Sequence, residues 1–256
     1  MPKKSKLILG VDVGGSGIKG APVHIKRGEL HEVRKRIPTP KPATPEAVAG
    51  VIAELADAYD WTGPIGCCLP SRVRRGVTET AANIDASWIG CKAAKLIARE
   101  TGLFVSVIND ADAAGLAEVT FGAGRKEDGV VLVLTFGTGI GSGLFIDGCL
   151  VPNTELGHLP WKDDIAEHFA ADSVRKAKSL SWKRWAEGRV QPLLDTYEFL
   201  FSPDLIILGG GVSRDDRWGE FGHYLSTRAT LKPARLGNNA GIVGAAYAAR
   251  KLLKRM

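Results

Sequence analysis

Asp12 interrupts an otherwise apolar stretch, LILGVDVGG, directly ahead of Gly14-Gly15-Ser16-Gly17. A carboxylate in a buried strand must be paired, hydrogen-bonded or set against a metal, because burying a lone charge is prohibitive. Here it could orient Mg²⁺ or its waters, or act as a strand-end Asp bonded to turn amides. The turn itself lets backbone N–H groups converge on an anion, with Ser16 adding a hydroxyl donor and Lys19 a charge. Gly137-Thr138-Gly139-Ile140-Gly141 offers the same chemistry again, from the segment LTFGTGIGSG. Neither turn has the GxxxxGK[ST] spacing, and a strand on each side does not suit a dinucleotide fingerprint. One such hairpin is more often a plain turn than an anion site. Two in matching positions, nearly half the chain apart, favour a phosphate-bearing ligand.

Three further groups carry chemistry. Asn109-Asp110 follows an apolar strand and opens a helix. Either residue serves as an N-cap. The carboxyl end of a strand in an α/β sheet is also where ligands bind, and there Asp110 could take a hydroxyl proton while Asn109 binds a neighbouring hydroxyl. Glu155 and His158 bracket Leu156-Gly157 and could face one small polar ligand. His158 could instead be a metal ligand, with Glu167 and His168 as the obvious candidate partners, or the segment could be a plain polar loop. Asn83 lies in the small, neutral stretch TAANID, which reads equally as a pocket loop or a solvent turn.

The elements that must hold these groups alternate between strand and helix periodicity, which makes the class α/β. Strands are predicted over residues 7–13, 18–25, 29–37, 65–69, 103–108, 130–135, 140–146 and 205–208. Helices are predicted over 46–59, 91–101, 111–121, 163–177, 181–201 and 241–254, with Ser181 as an N-cap and Gly102 as a stop. The chain's 31 glycines in 256 residues exceed the usual share of about 7 %, which fits many tight turns close to a ligand. With 45 % hydrophobic and 24 % charged residues, disorder and collagen-like repetition are excluded. The net charge of +6 accommodates a polyanionic partner. Cys67, Cys68, Cys91 and Cys149 form no CxxC pair, so a disulfide framework or a Cys-based zinc site is not expected. No signal peptide or membrane helix is expected, since the longest uncharged run, residues 129–146, is broken by five glycines. A cytoplasmic protein is the default.

Taken in order, DVGGSGIKG, INDADAAGLAE, LTFGTGIGSG, LVPNTELGHL and LGGGVS resemble the ROK family of sugar kinases. TAANIDASW, SLSWKRWAE and NNAGIVGAA are similar to its polyphosphate-dependent glucokinase branch, which includes glucomannokinases. The resemblance covers nearly the whole chain. It implies a two-lobed actin-like, ribonuclease-H-like α/β fold with a catalytic cleft between the lobes. One lobe is expected over residues 1–110, with a terminal helix 241–256 folding back on it, and the other over 111–240. The implied reaction moves a phosphoryl group from inorganic polyphosphate, or from ATP, to the 6-hydroxyl of glucose with Mg²⁺. Asp110 would be the catalytic base, and Asn83, Asn109, Asp110, Glu155, His158 and Glu167 would hold the sugar. Asp12, Gly14, Gly15, Ser16, Lys19, Thr138 and Gly139 would face the donor phosphates, with Asp12 serving the metal. Gly209, Gly210 and Gly211 match the loop that borders adenosine in ATP-using relatives. Residues 159–174 lack the Cys-rich zinc motif of many relatives, so no zinc is expected. Pro70-Ser71 stands where relatives carry Pro-Gly, followed by Arg72, Arg74 and Arg75, which could instead help an anionic donor. A homodimer is implied, with glucose, or mannose as well, as acceptor, and neither nucleic acid nor membrane as partner. The competing readings are a strictly ATP-dependent kinase of the same fold and a non-catalytic, sugar-responsive regulator. A regulator would carry a helix-turn-helix ahead of the first strand, for which residues 1–6 leave no room.

Overall fold

The computed structural model describes residues 7–254; residues 1–6 of the first expected lobe and 255–256 of the expected terminal helix lie outside the described residues. The chain divides into two units. The first takes residues up to 117 together with those from 239 on, and the second takes 118–238.

In the first unit, β1 (Leu7–Gly14) and β2 (Gly17–His24) form an antiparallel hairpin, with β3 (Glu29–Leu30) and β4 (Lys35–Ile37) on the outer side of β2. On the other side of β1, β5 (Ile65–Leu69) and β8 (Val105–Asn109) continue the sheet in parallel. A small hairpin, β6 (Val73–Arg74) and β7 (Val77–Thr78), lies between them in sequence. Helix α1 (Pro45–Asp57) starts where Thr44 accepts from the Ala47 N–H and Pro45 pre-sets the first turn. Helix α2 (Ala93–Thr101) stops at Gly102, whose φ of 68° closes it in the left-handed region. Val48, Ile52 and Leu55 of α1, with Ile97 of α2, bury against Leu9, Val11, Ile65 and Trp88. Helix α3 (Asp110–Phe121) begins directly at the end of β8. The C-terminal helix, Ala240–Leu253, packs Ala245 against Cys68 of β5 and Ala113 of α3.

The expected single strand 29–37 is broken instead into β3 and β4. Both pair with β2, but between them Tyr59 takes the sheet's place. Its hydroxyl accepts from the Lys35 N–H at 2.9 Å and lies 2.8 Å from the Gly20 carbonyl as donor.

The second unit repeats the plan of the first. Strands β9 (Val130–Phe136) and β10 (Ile140–Ile146) form an antiparallel hairpin edged by β11 (Cys149–Val151). Strands β14 (Leu205–Gly210) and β15 (Thr230–Pro233) extend β9 in parallel. In each unit a glycine hairpin therefore opens a sheet that continues through parallel strands, and the echo between the two sequence segments is a repeated strand order.

Between the hairpin and β14 lie β12 (Pro160–Trp161), β13 (Asp164–Ile165) and four helices, α4 (Ala166–Ala170), α5 (Asp172–Ala177), α6 (Trp182–Trp185) and α7 (Gln191–Phe201); α8 (Asp215–Phe221) follows β14. The predicted helix 163–177 is thus split. Asp164 and Ile165 pair with Trp161 and Pro160, and Ala171 turns to ψ 155° between α4 and α5. The predicted helix 181–201 does begin at Ser181, which accepts from the Arg184 N–H, but it widens into a π-turn over Ala186–Val190. Pro192 explains the change: it has no N–H to give to a carbonyl one turn back. The core of this unit is Phe136, Trp185, Tyr197, Ile206, Leu208 and Phe221, all fully buried. Among the described residues no helix is long and apolar enough to cross a membrane.

Candidate active site

The structure gathers the sequence-predicted residues into two groups, one in each unit. In the first, β1 and β2 set Asp12 directly opposite Lys19, and β5 sets Cys68 beside Asp12 on its other flank. Lys19 Nζ is 3.8 Å from Asp12 Oδ2, and the Cys68 thiol donates to Oδ1 at 3.5 Å. The carboxylate in the apolar strand is therefore paired, and its side chain keeps 22 % exposure. Burial drives the Cys68 thiol pKa well above its ordinary value, and the charges of Asp12, the Cys67 sulfur and Asp110 push it further up. Cys68 thus stays a neutral donor to Asp12. One partly open carboxylate suits a divalent ion held mainly by water and phosphate oxygens, since Mg²⁺ is usually bound that way. Among the described residues no three metal-ligating side chains cluster.

Gly14, Gly15 and Ser16 form the turn closing this hairpin, where Gly14 pairs with Gly17. Its carbonyls are fixed from outside. Thr39 Oγ1 donates to Gly14 O, and Arg36 Nη2 donates to Ser16 O at 2.7 Å. Asn83 comes up against the same turn, since a β-carbon on Gly15 would stand 3.2 Å from that of Asn83.

Asn109 ends β8 and caps α3. Its Oδ1 accepts from the Asp112 N–H at 2.9 Å and its Nδ2 donates to the Ser71 carbonyl at 3.1 Å. Asp110 therefore occupies the first turn of α3, where the helix dipole favours an anion, and its Oδ1 accepts from the Ala111 N–H at 2.9 Å. Ser71 is buried, and its hydroxyl donates to the Thr80 carbonyl at 2.6 Å. Two of the arginines that follow face a carboxylate of their own loop. Arg74 Nε is 2.8 Å from Glu79 Oε1, and Arg72 Nη2 is 3.9 Å from Oε2 of the same carboxylate.

In the second unit, Gly137-Thr138-Gly139 closes the β9–β10 hairpin, and the Gly137 N–H donates to Gly139 O at 3.0 Å. The Glu167 carboxylate reaches this turn from α4. Its Oε2 accepts from the Ile140 N–H at 3.1 Å, while its Oε1 lies 3.9 Å from His158 Nε2. His158 Nδ1 is in turn 3.3 Å from Glu155 Oε2. Glu155, His158 and Glu167 therefore form one chain of polar groups ending on the glycine turn. His168 takes no part in it: its Nδ1 pairs with Asp164 at 2.9 Å. Gly157 brings the Glu155–His158 turn onto β10, since any β-carbon there would sit 2.1 Å from the Ile140 carbonyl oxygen. Ser142 of β10 supports the same turn by accepting from the Leu156 N–H at 3.0 Å.

Gly209 and Gly210 stand beside Thr135 and Phe136 in the β14–β9 register, so the third glycine run borders the second hairpin turn. Ser213 donates to Gly210 O at 3.0 Å and Arg217 to Gly211 O at 2.8 Å. Ser142, Ser173, Ser213 and Arg217 have no marked position in the sequence. Ser142 and Ser173 act on turns 14 and 35 residues away, which no local spacing encodes, whereas Ser213 and Arg217 hold glycine carbonyls three and six residues back.

A model described as the ROK family matches residues 8–168. The chain belongs to the ROK family. This ROK chain is 48 % identical over 242 residues to the polyphosphate glucokinase of Mycobacterium tuberculosis, covering 94 % of this chain and 90 % of that one. It superposes on the crystal structure of the inorganic polyphosphate/ATP-glucomannokinase from Arthrobacter sp. strain KM with a TM-score of 0.90 and 44 % identity, covering 97 % of this chain and 100 % of that one. A ROK family glucokinase from Streptomyces griseus, solved with glucose and AMPPNP, matches with a TM-score of 0.79 and 25 % identity over 96 % of this chain and 99 % of that one. The fold is accordingly the two-lobed actin-like ATPase fold of ROK sugar kinases.

Proposed function

We propose that this protein is a glucokinase that transfers a phosphoryl group from inorganic polyphosphate to the 6-hydroxyl of glucose. The observation that carries the reading is the 48 % identity, over nearly the full length of both chains, to a polyphosphate glucokinase. Kinases of this type use a divalent metal; Asp12 would hold it, as Mg²⁺, and the ion would offset charge on the phosphate oxygens.

Phosphoryl transfer asks the protein for alignment and charge stabilisation more than for covalent chemistry. Asp110, at the first turn of α3, accepts the proton of the sugar's 6-hydroxyl. Asn83, Asn109, Glu155, His158 and Glu167 hold the remaining hydroxyls. The backbone amides of Gly14, Gly15, Ser16, Thr138 and Gly139 receive the donor phosphates, and Lys19 adds positive charge beside Asp12. Their glycine content allows an anion close approach.

ATP is a second donor in this reading. The presence of Gly209, Gly210 and Gly211 supports it, as do the Arthrobacter relative, named a polyphosphate/ATP-glucomannokinase, and the AMPPNP complex of the Streptomyces one. The Arthrobacter relative is named a glucomannokinase, which supports mannose as a second acceptor. The protein acts in the cytoplasm as a homodimer. A coupled glucose 6-phosphate assay with polyphosphate and ATP as separate donors, and glucose and mannose as separate acceptors, tests all of this. Product from polyphosphate and glucose is expected. Turnover with ATP alone would make the protein a strictly ATP-dependent kinase, and no turnover with either donor would overturn the reading.

A further inference from the structure

Helices α4 and α5 meet the glycine turn of the second unit at two points. At the first, Glu167 Oε2 accepts from the Ile140 N–H at 3.1 Å. The fit is close, because a β-carbon on Gly139 would stand 2.2 Å from that oxygen. At the second, the Ser173 hydroxyl donates to Thr138 O at 2.6 Å and the Ser173 N–H donates to Gly137 O at 3.0 Å. Four consecutive residues of the turn, Gly137 to Ile140, are thus touched by one short segment. Ser173 is the second residue of α5, so its N–H has no acceptor within that helix and reaches Gly137 instead.

Glu167 has a second side. Its Oε1 faces His158, which in turn faces Glu155. One carboxylate therefore joins the turn assigned to the donor phosphates with the residues assigned to the sugar. A glycine-rich turn has little conformational preference of its own, so its amides point at a ligand only if something fixes their direction. Ser173 and Glu167 fix the carbonyls and one N–H of this turn, and that leaves the remaining amides in a set orientation.

We propose that Ser173 and Glu167 are positioning residues for the phosphate donor, and that Glu167 couples sugar occupancy to donor affinity. This rests on the kinase reading above. Ser173 touches only the turn and sets donor affinity alone. Glu167 also faces the sugar group, so a hydroxyl bound at His158 and Glu167 restrains the carboxylate that holds Ile140. By thermodynamic reciprocity, glucose then tightens donor binding by the same factor as the donor tightens glucose binding.

The test measures the KM for polyphosphate at several fixed glucose concentrations, and glucose affinity without donor by tryptophan fluorescence. In Ser173→Ala, the donor KM is expected to rise about three- to tenfold, the scale of one lost hydrogen bond, with glucose affinity unchanged. Ser173→Thr keeps the hydroxyl and is expected to restore the donor KM. In Glu167→Gln, glucose affinity falls and the donor KM no longer changes with glucose concentration. A wild-type donor KM in Ser173→Ala, or undiminished glucose dependence in Glu167→Gln, would overturn the inference. If Ser173→Ala folds poorly, the donor KM of Ser173→Thr decides: a value far above wild type despite the retained hydroxyl would also overturn it. An inactive wild-type protein would instead remove the kinase reading itself.

Discussion

The side-chain amide of Asn109 donates to the Ser71 carbonyl at 3.1 Å. A buried side chain at the end of β8 thereby anchors the loop that follows β5, while its oxygen caps the helix that begins with Asp110. Replacing the amide with a carboxylate in Asn109→Asp leaves an oxygen facing the Ser71 carbonyl with no proton between them. A buried group left unsatisfied costs about 1–3 kcal/mol. Urea denaturation is therefore expected to show Asn109→Asp less stable than the wild type by that amount at neutral pH. An unchanged midpoint would mean that Ser71 and Asn109 do not depend on each other.

Asp110→Asn separates binding from chemistry. The substitution keeps the side chain's shape and its place at the start of α3, but it cannot accept the proton of a sugar hydroxyl. A positioned general base contributes about 10²–10⁴-fold to a rate. The expected outcome is a kcat lowered by about that factor with glucose binding retained, measured by the coupled assay and by fluorescence titration. Near-normal turnover would take the role from Asp110.

Most of the strands and long helices were legible because their signals are local. The apolar run at residues 65–69, the helical spacing of Val48, Ile52 and Leu55, and the stop at Gly102 depend only on near neighbours in sequence. The breaks were not legible, because each is made by a partner far along the chain. Tyr59 opens the strand between β3 and β4, and α5 starts where Ser173 reaches Thr138, 35 residues back in the chain. Strand β15 and helix α8 carry no clear local signal, because residues 212–240 have weak periodicity and many charges. The same limit applies at the site. Asp12, Asn109 and the glycine turns announced themselves by residue type and setting, whereas Cys68 as the donor to Asp12 became apparent only from the β1–β5 register.

Gly157→Ala tests how tightly the Glu155–His158 turn is seated. The added methyl would stand 2.1 Å from the Ile140 carbonyl oxygen, a backbone atom that cannot swing away like a side chain. Overpacking of this kind costs about 1–3 kcal/mol. Because the Ile140 N–H is bound to Glu167, the displacement also reaches the glycine turn. A lower melting temperature together with raised KM values for both glucose and donor is expected. A raised glucose KM with the donor KM untouched would show that the turn and β10 move independently.

Asp172 gives the fold an acid-sensitive contact. Burial raises its carboxyl pKa, but hydrogen bonds and charge from Lys176 and Arg175, at 2.7 and 2.8 Å, outweigh that and hold it below the ordinary value. A carboxylate depressed in the folded state stabilises the protein above its unfolded pKa, near pH 4. That contribution is lost as pH falls through the folded value. The urea midpoints of wild type and Asp172→Asn are therefore expected to differ most at neutral pH and to converge below about pH 4. A constant difference down to pH 3 would contradict the pairing.

Arg74 lies 2.8 Å from Glu79, and Arg72 shares the same carboxylate at 3.9 Å, so Arg74 is already ion-paired within its own loop. A polyphosphate chain gains little from a cation whose partner must first be released. Arg74→Ala is accordingly expected to change the KM for polyphosphate less than twofold, the scale of an exposed ion pair. Lys19→Ala, beside Asp12, is expected to raise it more. For the wild type, added salt should weaken polyphosphate use more steeply than ATP use, because the longer anion displaces more counterions when it binds. The KM for each donor between 50 and 300 mM added salt, about a sixfold span chosen to cross the range where the Debye length falls below roughly 8 Å, provides the measurement. Equal slopes for the two donors would mean that no extended basic track contributes. A large effect of Arg74→Ala would instead place the donor against the β6–β7 hairpin.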